Sequence, residues 1–322
     1  MTPEQRQTLE ADYTFKRVAE LELYPVRGQF DAAHLKEVNR RIFQDLPGLG
    51  LNEVTPGEFR APVPDGLDWI KQRALSTVDG SFYVAYSRMD YAAKTRLDTA
   101  LQKANPDELR NLKTAEFTAR LAKLYVELDY MHPFSDGNSR TLRSFTRQLA
   151  AESGYDLDWD RFARSDVGRD LLYIARDRSV NELAIPHIQH DDTLRKVVHT
   201  QDRFEGNRGL PDLLRDAVRP SRAVAFEQLP EQEALREYPE LKEAYKTMRK
   251  ATEYFALKMP NQFDGQAAGI QSVLGHVQRR LDDGETASFS RSRGNGPRER
   301  GQELQERQTL IYRSEPGQEL ER

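Results

Sequence analysis

The residues best suited to chemistry lie in one stretch near the middle of the chain. It reads His132-Pro133-Phe134-Ser135-Asp136-Gly137-Asn138-Ser139-Arg140-Thr141-Leu142-Arg143. Apolar residues recur at helical spacing before it, from Thr114 to Met131, and after it, through residues 142–150. This pattern predicts that His132 ends a buried helix and that a second helix begins at Ser139.

The start of the second predicted helix is typical of an anion-binding site. A helix amino terminus exposes unpaired N–H groups and the positive end of the helix dipole. Arg140 and Arg143 add positive charge there, which is unfavourable unless an anion such as a polyphosphate binds. Gly137 and Asn138 suit the unusual backbone dihedrals of a nest that surrounds a phosphate.

Two further side chains of the stretch are suited to act beside a bound phosphate. Asp136 is a hard oxygen ligand, appropriate for Mg²⁺ that is shared with phosphate oxygens. His132 has an unperturbed pKa near neutrality, so it can accept a proton from an attacking hydroxyl group. Each residue alone is more often structural or solvated, but their combination in this order favours a functional site.

The stretch resembles the signature of the Fic family, H-x-F-x-[DE]-G-N-G-R-x-x-R, and departs from it at one specified position. The segments Gly28-x-Phe30-Asp31-x-x-His34-Leu35-Lys36 and Gly57-Glu58-Phe59-Arg60 resemble two other elements of that family. The resemblance covers roughly residues 15–210. It implies an all-α fold, a helical bundle with one β-hairpin flap, and transfer of AMP from ATP and Mg²⁺ to a Tyr, Thr or Ser hydroxyl of a target protein.

The resemblance also implies a role for each charged residue of the stretch. His132 is expected to be the catalytic base, and Asp136 to bind Mg²⁺. Arg140 is expected to bind the β-phosphate and to assist catalysis. Arg143 is expected to bind the γ-phosphate or the departing pyrophosphate.

The uncharged residues of the stretch are expected to shape the nucleotide site. By the same resemblance, the backbone N–H groups of Gly137, Asn138 and Ser139 form an anion hole, and Phe134 anchors the loop by packing inward. Ser139 stands where the family has glycine. Its side chain can crowd the nucleotide or contact it, so transfer of phosphate or another nucleotide moiety, and a binding module with weakened catalysis, stay as alternatives.

The sequence predicts three regions along the chain. Residues 1–212 form the catalytic domain, and residues 213–282 form a helical appendage. Residues 283–322 are rich in Arg, Glu, Gln, Gly and Ser and are expected to form a disordered tail. Further helices are predicted around residues 35–43, 166–177, 191–199, 231–257 and 266–281.

One β-hairpin is predicted, and it is the only strand structure that the pattern indicates. The β-prone runs Leu75–Val78 and Ser81–Tyr86 flank Asp79-Gly80, a common hairpin turn. By the resemblance, the flap at about 75–87 holds the target protein by main-chain pairing.

Composition limits the possible partners and the location of the protein. The formal net charge of −4 argues against a general affinity for nucleic acid or anionic membranes, and no segment is apolar enough to span a membrane. Cysteine is absent, and the amino terminus lacks the apolar core of a secretory signal. We expect a cytoplasmic protein. The resemblance implies a bacterial toxin of a toxin–antitoxin pair or, as the alternative, an effector that specialised secretion delivers into another cell.

Inhibition is expected to come from another chain or not to occur. Many Fic proteins carry an inhibitory glutamate in the pattern [ST]-x-x-x-E-[GN], which pairs with the arginine equivalent to Arg143. This chain has no match; the nearest segment is Gln201-Asp202-Arg203-Phe204-Glu205-Gly206. Either an antitoxin-like partner supplies the glutamate, or this inhibition does not occur.

Overall fold

A computed structural model describes residues 2–51, 55–110 and 112–285 of the chain. The chain divides into two compact units: residues up to 239 together with 278–285, and Glu240–Val277. The predicted division into 1–212 and 213–282 stays a prediction. Most of the predicted tail, from residue 286 onward, lies outside the described residues.

The described residues form mainly helices, so the all-α prediction is confirmed. The helices are α1 Pro3–Leu23, α2 Ala32–Phe43, α3 Tyr91–Leu101, α4 Pro106–Leu109, α5 Thr114–Met131, α6 Asn138–Glu152, α7 Asp166–Ala184, α8 Asp191–Phe204, α9 Leu210–Arg215, α10 Ser221–Gln228, α11 Glu231–Glu237, α12 Lys242–Lys258 and α13 Phe263–Asp282. The strands are β1 Trp69–Arg73, β2 Phe82–Tyr86, β3 Tyr155–Leu157 and β4 Val218–Pro220.

Helix α5 is the centre of the first unit. It begins and ends at the predicted residues, and most of its side chains are buried, as expected for a helix that is apolar nearly all round. Helices α3, α6, α7 and α9 pack against it, while α1 and α2 contact α6. The helix that carries the two arginines is therefore supported from several sides.

The predicted hairpin exists, but its first strand was placed too late in the sequence. Strand β1 is Trp69–Arg73, and it pairs with β2 in antiparallel register, Arg73 opposite Phe82. The run Leu75–Val78 is part of the connecting loop. Asp170 of α7 accepts hydrogen bonds from the backbone N–H groups of Ser76 and Thr77, so these groups are not available for strand pairing.

Several other element boundaries differ from the prediction. A second two-stranded sheet pairs β3 with β4 antiparallel, although only one hairpin was predicted. Helix α6 begins one residue before Ser139, and α7 and α8 extend beyond their predicted ends. The predicted helix 231–257 is broken, since Pro239 lacks the N–H group that a continuous helix needs.

Candidate active site

His132 ends α5 in a left-handed backbone conformation, with φ 47° and ψ 58°. A buried arginine, Arg60, supports this turn. Its Nε donates to the His132 carbonyl at 2.7 Å, and one terminal nitrogen donates to the carbonyls of Ser87 and Met131. Burial lowers the pKa of Arg60 to about 9. The cost of the αL backbone, about 1–3 kcal/mol, is offset by these contacts.

The His132 imidazole lies in an aromatic enclosure beneath the hairpin. The Tyr86 ring stacks on it with a centroid distance of 3.9 Å, and Trp69 approaches edge-on at 6.0 Å. Lys71 of β1 contacts Nε2 at 3.0 Å. Burial is the main reason that the pKa of His132 falls to about 4, although the nearby Asp129 acts in the opposite direction. The imidazole is therefore neutral near pH 7.

Asp129, one helical turn before His132, forms a buried ion pair. Arg176 of α7 donates to its Oδ2 from two nitrogens, at 2.7 and 3.0 Å. Asp129 is fully buried, and Arg176 is 3% exposed. Burial raises the pKa of Asp129, but Arg176 and His132 outweigh burial and hold it well below the usual range.

The loop from 133 to 137 is held in shape by Asn138. The Asn138 side chain accepts a hydrogen bond from the Phe134 N–H at 3.0 Å and donates one to the Phe134 carbonyl at 2.8 Å. Phe134 is buried and packs against Phe59 with a centroid distance of 5.4 Å. Phe134 and the Asn138 side chain thus fix the loop between the two helices.

Gly137 permits the close approach of α2 to the start of α6. Its φ of 73° is left-handed, and a Cβ atom added there would lie 1.9 Å from Cζ of Phe43. No side chain caps α6 in the described structure. The Gly137 N–H, expected in the anion hole, donates to Asp136 Oδ1 at 2.7 Å. Asp136 itself is exposed. Burial lowers the pKa of Lys71, and the negative charge of Asp136 acts in the opposite direction. Lys71, which contacts the His132 imidazole, therefore interacts with both the start of α6 and the proposed base.

The two signature arginines of α6, Arg140 and Arg143, have different surroundings. Arg140 pairs with Glu10 of α1 at 2.5 Å, donates to Thr14 Oγ1 at 2.9 Å, and lies over the Phe43 ring. Arg143 Nε donates to the Ser139 carbonyl at 3.2 Å. An anionic ligand would therefore have to compete with Glu10 for the Arg140 guanidinium.

Ser139, the departure from the family signature, directs its hydroxyl toward the core. Its Oγ is buried, and so is the hydroxyl oxygen of Tyr125. Neither oxygen has a hydrogen-bond partner in the described structure. Burial raises the pKa of Tyr125 to about 12, and the neighbouring Ser139 hydroxyl acts in the opposite direction. The side chain therefore points away from the open amino end of α6.

Glu205, the nearest match to an inhibitory glutamate, is exposed at the carboxyl end of α8, which packs against β2 and α7. The carboxylate that contacts a signature arginine is instead Glu10. Sequence reasoning missed Glu10, and it also missed Lys71, Asp129 and Arg176. Of these, only Asp129 left a local signal, an acid on the apolar helix one turn before the histidine.

The chain is similar in sequence to known proteins. Residues 29–150 match the model of the Fic/DOC family. Protein adenylyltransferase VbhT of Bartonella schoenbuchensis is 31% identical over 163 residues, which cover 50% of this chain and 29% of VbhT. The protein named Probable protein adenylyltransferase Fic of Escherichia coli K12 is 31% identical over 162 residues, which cover 48% of this chain and 68% of that protein.

A solved structure is also similar. BepC of Bartonella tribocorum, a VirB-translocated effector protein with bound AMPPNP, is 16% identical, with a TM-score of 0.43 over 68% of this chain and 89% of that one. The E. coli relative, together with the family match over residues 29–150, shows that the chain belongs to the Fic/DOC family.

Proposed function

We propose that this chain is a protein adenylyltransferase, which transfers AMP from ATP to a Tyr, Thr or Ser hydroxyl of a target protein. One observation carries the proposal: a buried, neutral imidazole lies one short loop before an uncapped helix amino terminus that bears two arginines. The names of the curated relatives, protein adenylyltransferases, support the same reaction.

In this mechanism Nε2 of His132 takes the proton from the target hydroxyl. The hydroxyl oxygen attacks the α-phosphorus of ATP and forms the new P–O bond. The bond from the α-phosphorus to the bridging oxygen breaks, and pyrophosphate leaves with the electron pair. Arg140 binds the β-phosphate and Arg143 the γ-phosphate or the departing pyrophosphate, and the α6 N–H groups of Asn138 and Ser139 contribute to the anion hole.

The residues present fit a bound Mg²⁺ ion. Asp136 is an exposed carboxylate whose Oδ1 accepts the Gly137 N–H, so it is fixed beside the start of α6. Carboxylate together with phosphate oxygens is a common ligand set for Mg²⁺. When bound, the ion offsets the negative charge of the phosphates.

The target protein is proposed to pair with β1, the open edge of the hairpin. The other edge is occupied, since Asn181 and Thr200 bind the backbone groups of Tyr83 and Ala85. Antiparallel alternation then leaves the main-chain groups of Ile70 and Gln72 on the outer side of β1. The flap therefore corresponds to residues 69–86 and not to 75–87.

A proline at the open edge tests this docking mode. Gln72→Pro removes an outward N–H group and is expected to lower transfer to protein targets while ATP binding is retained. Gln72→Ala, which removes only the side chain, is the control. Equal labelling by the two variants would contradict main-chain pairing at β1.

The transfer reaction is tested with α-³²P-ATP in lysates of bacterial and eukaryotic cells. We expect a labelled protein with the wild type and none with His132→Ala. A parallel reaction with γ-³²P-ATP separates the two reactions, because phosphoryl transfer carries the γ-phosphorus to the protein and adenylyl transfer carries the α-phosphorus. Mass spectrometry of the modified protein then measures the added mass, which differs greatly between them. Labelling by the His132→Ala protein would refute the role of the imidazole.

We also propose that the protein acts as a toxin that a separate antitoxin-like chain holds inactive. The sequence of this chain contains no segment with the inhibitory pattern [ST]-x-x-x-E-[GN], which supports an inhibitor from another chain. Expression in bacteria without a partner should stop growth, and the His132→Ala protein should not. Equal growth with both proteins, at equal protein levels, would argue against the toxin role.

Among the described residues, no helix has the length and apolar character that crossing a bilayer requires.

A further inference from the structure

A buried nitrogen of the proposed base faces a buried carboxylate oxygen. His132 Nδ1 and Asp129 Oδ1 are 3.8 Å apart, and neither has a hydrogen-bond partner in the described structure. That distance is too long for a hydrogen bond, but a small rotation of the imidazole would bring the atoms within range. An unpartnered buried polar atom is costly, so a contact between the two atoms would be favourable.

We propose that Asp129 is a positioning residue for His132: its Oδ1 accepts the Nδ1–H proton and thereby keeps the lone pair on Nε2 for proton abstraction. This inference rests on the proposed function. It adds an orienting carboxylate to the base, the arrangement that selects one imidazole tautomer in other enzymes. The proton taken up by Nε2 makes an imidazolium, which the Asp129 carboxylate stabilises.

The surroundings of the pair hold the carboxylate in this role. Arg176 occupies Oδ2 with two hydrogen bonds, so Oδ1 is the oxygen that remains for the histidine. On the opposite side of the ring, the Lys71 ammonium can only donate, and its contact with Nε2 therefore favours an unprotonated Nε2. Lys71 and Asp129 thus select the same tautomer from opposite sides.

Asp129→Asn gives a specific expectation because Arg176 has only donors to offer. The amide oxygen is expected to face Arg176, which turns the amide NH₂ group toward Nδ1. Two donors cannot face each other across the buried Nδ1 contact, so the imidazole should change to the tautomer that is protonated at Nε2. The Lys71 ammonium, which also donates to Nε2 in the wild type, ends a flexible side chain and is expected to turn away from the new N–H group. The base would then lack its lone pair, and kcat should fall about 100-fold or more, the range for loss of general base catalysis.

The decisive readout is the tautomer itself, observed by ¹⁵N NMR of the histidine ring at neutral pH. The wild type should show Nδ1–H for His132, and Asp129→Asn should show Nε2–H. Asp177→Asn is the matched control, since Asp177 is also a buried carboxylate bound by two arginine nitrogens, those of Arg73, and it should leave the tautomer unchanged. Assignment of the signal uses the spectrum of the His132→Ala protein.

The outcomes separate this inference from the proposed function. A wild-type ring protonated at Nε2, or an Nδ1–H ring in Asp129→Asn, would overturn the role of Asp129 whatever reaction the protein catalyses. Wild-type kcat in an Asp129→Asn variant would overturn it as well. If the NMR result is as expected but no target is labelled by the wild type, the proposed function fails and the positioning of His132 by Asp129 stands.

Discussion

Replacement of Glu10 by Gln should increase the affinity of the protein for ATP. In the described structure Glu10 pairs with Arg140, and the two side chains are 28% and 30% exposed. A partly exposed ion pair of this kind contributes up to about 1 kcal/mol. ATP must replace or share that contact, so removal of the charge should lower Kd by about two- to fivefold, since 1.4 kcal/mol corresponds to a factor of ten. Isothermal titration calorimetry with ATP measures the change directly.

Glu20→Gln is the matched control for this experiment. Glu20 is on the same helix, pairs with Arg17 at 2.6 Å, and its replacement changes the net charge by the same amount. If general electrostatics were responsible, both variants would bind ATP more tightly. The reasoning is refuted if Glu10→Gln binds ATP as the wild type does, or if it still gains affinity when Arg140 is replaced by Ala, because the predicted effect requires that arginine.

Three further predictions concern the same site. Arg143→Ala should weaken binding of ATP more than binding of ADP, and calorimetry that gives equal losses would contradict the γ-phosphate role. Gly137→Ala should lower the free energy of unfolding by about 2–4 kcal/mol in urea titrations, because of its φ and the overlap with Phe43; Gly154→Ala, with a φ of 81° but open space around it, should cost only about 1 kcal/mol. The folded state lowers the pKa of His132 to about 4, so stability should fall as the pH decreases from 6.5 toward 4; between pH 7 and 5 the wild type should lose about 2 kcal/mol more than His132→Asn, and equal losses would contradict a buried neutral imidazole.

The backbone of the site was predictable because local sequence determines it. An apolar helix, a short loop with glycine, and a second helix follow directly from residues 114–150, and the structure has α5 and α6 there. The roles of the site residues stay predictions, but their neighbourhood on one loop required no tertiary information. Position along the chain was enough to bring them together.

The surrounding contacts were not predictable, since they join positions far apart in the sequence. Glu10 meets Arg140 across 130 positions, and Lys71 meets His132 across 61. Neither pair has a local pattern, because each depends on how α1 and β1 pack against the central helices. The hairpin was misplaced for a similar reason: Asp170, 94 positions after Ser76, binds the segment that looked most like a strand.

Several departures from ordinary local rules lie at this site, although Phe30, Met89 and Asn261 also have a positive φ. His132 and Gly137 adopt left-handed backbone conformations at the two ends of a short loop. Arg140 and Arg143 place positive charge in the first turns of a helix, where the dipole disfavours it. Arg60 is a buried cation, and its described hydrogen bonds all go to backbone carbonyls and not to a carboxylate. Each departure costs stability, and such costs are expected to persist where function requires them. A bound polyphosphate would relieve the conflict on α6, which is the physical reason to expect the nucleotide there.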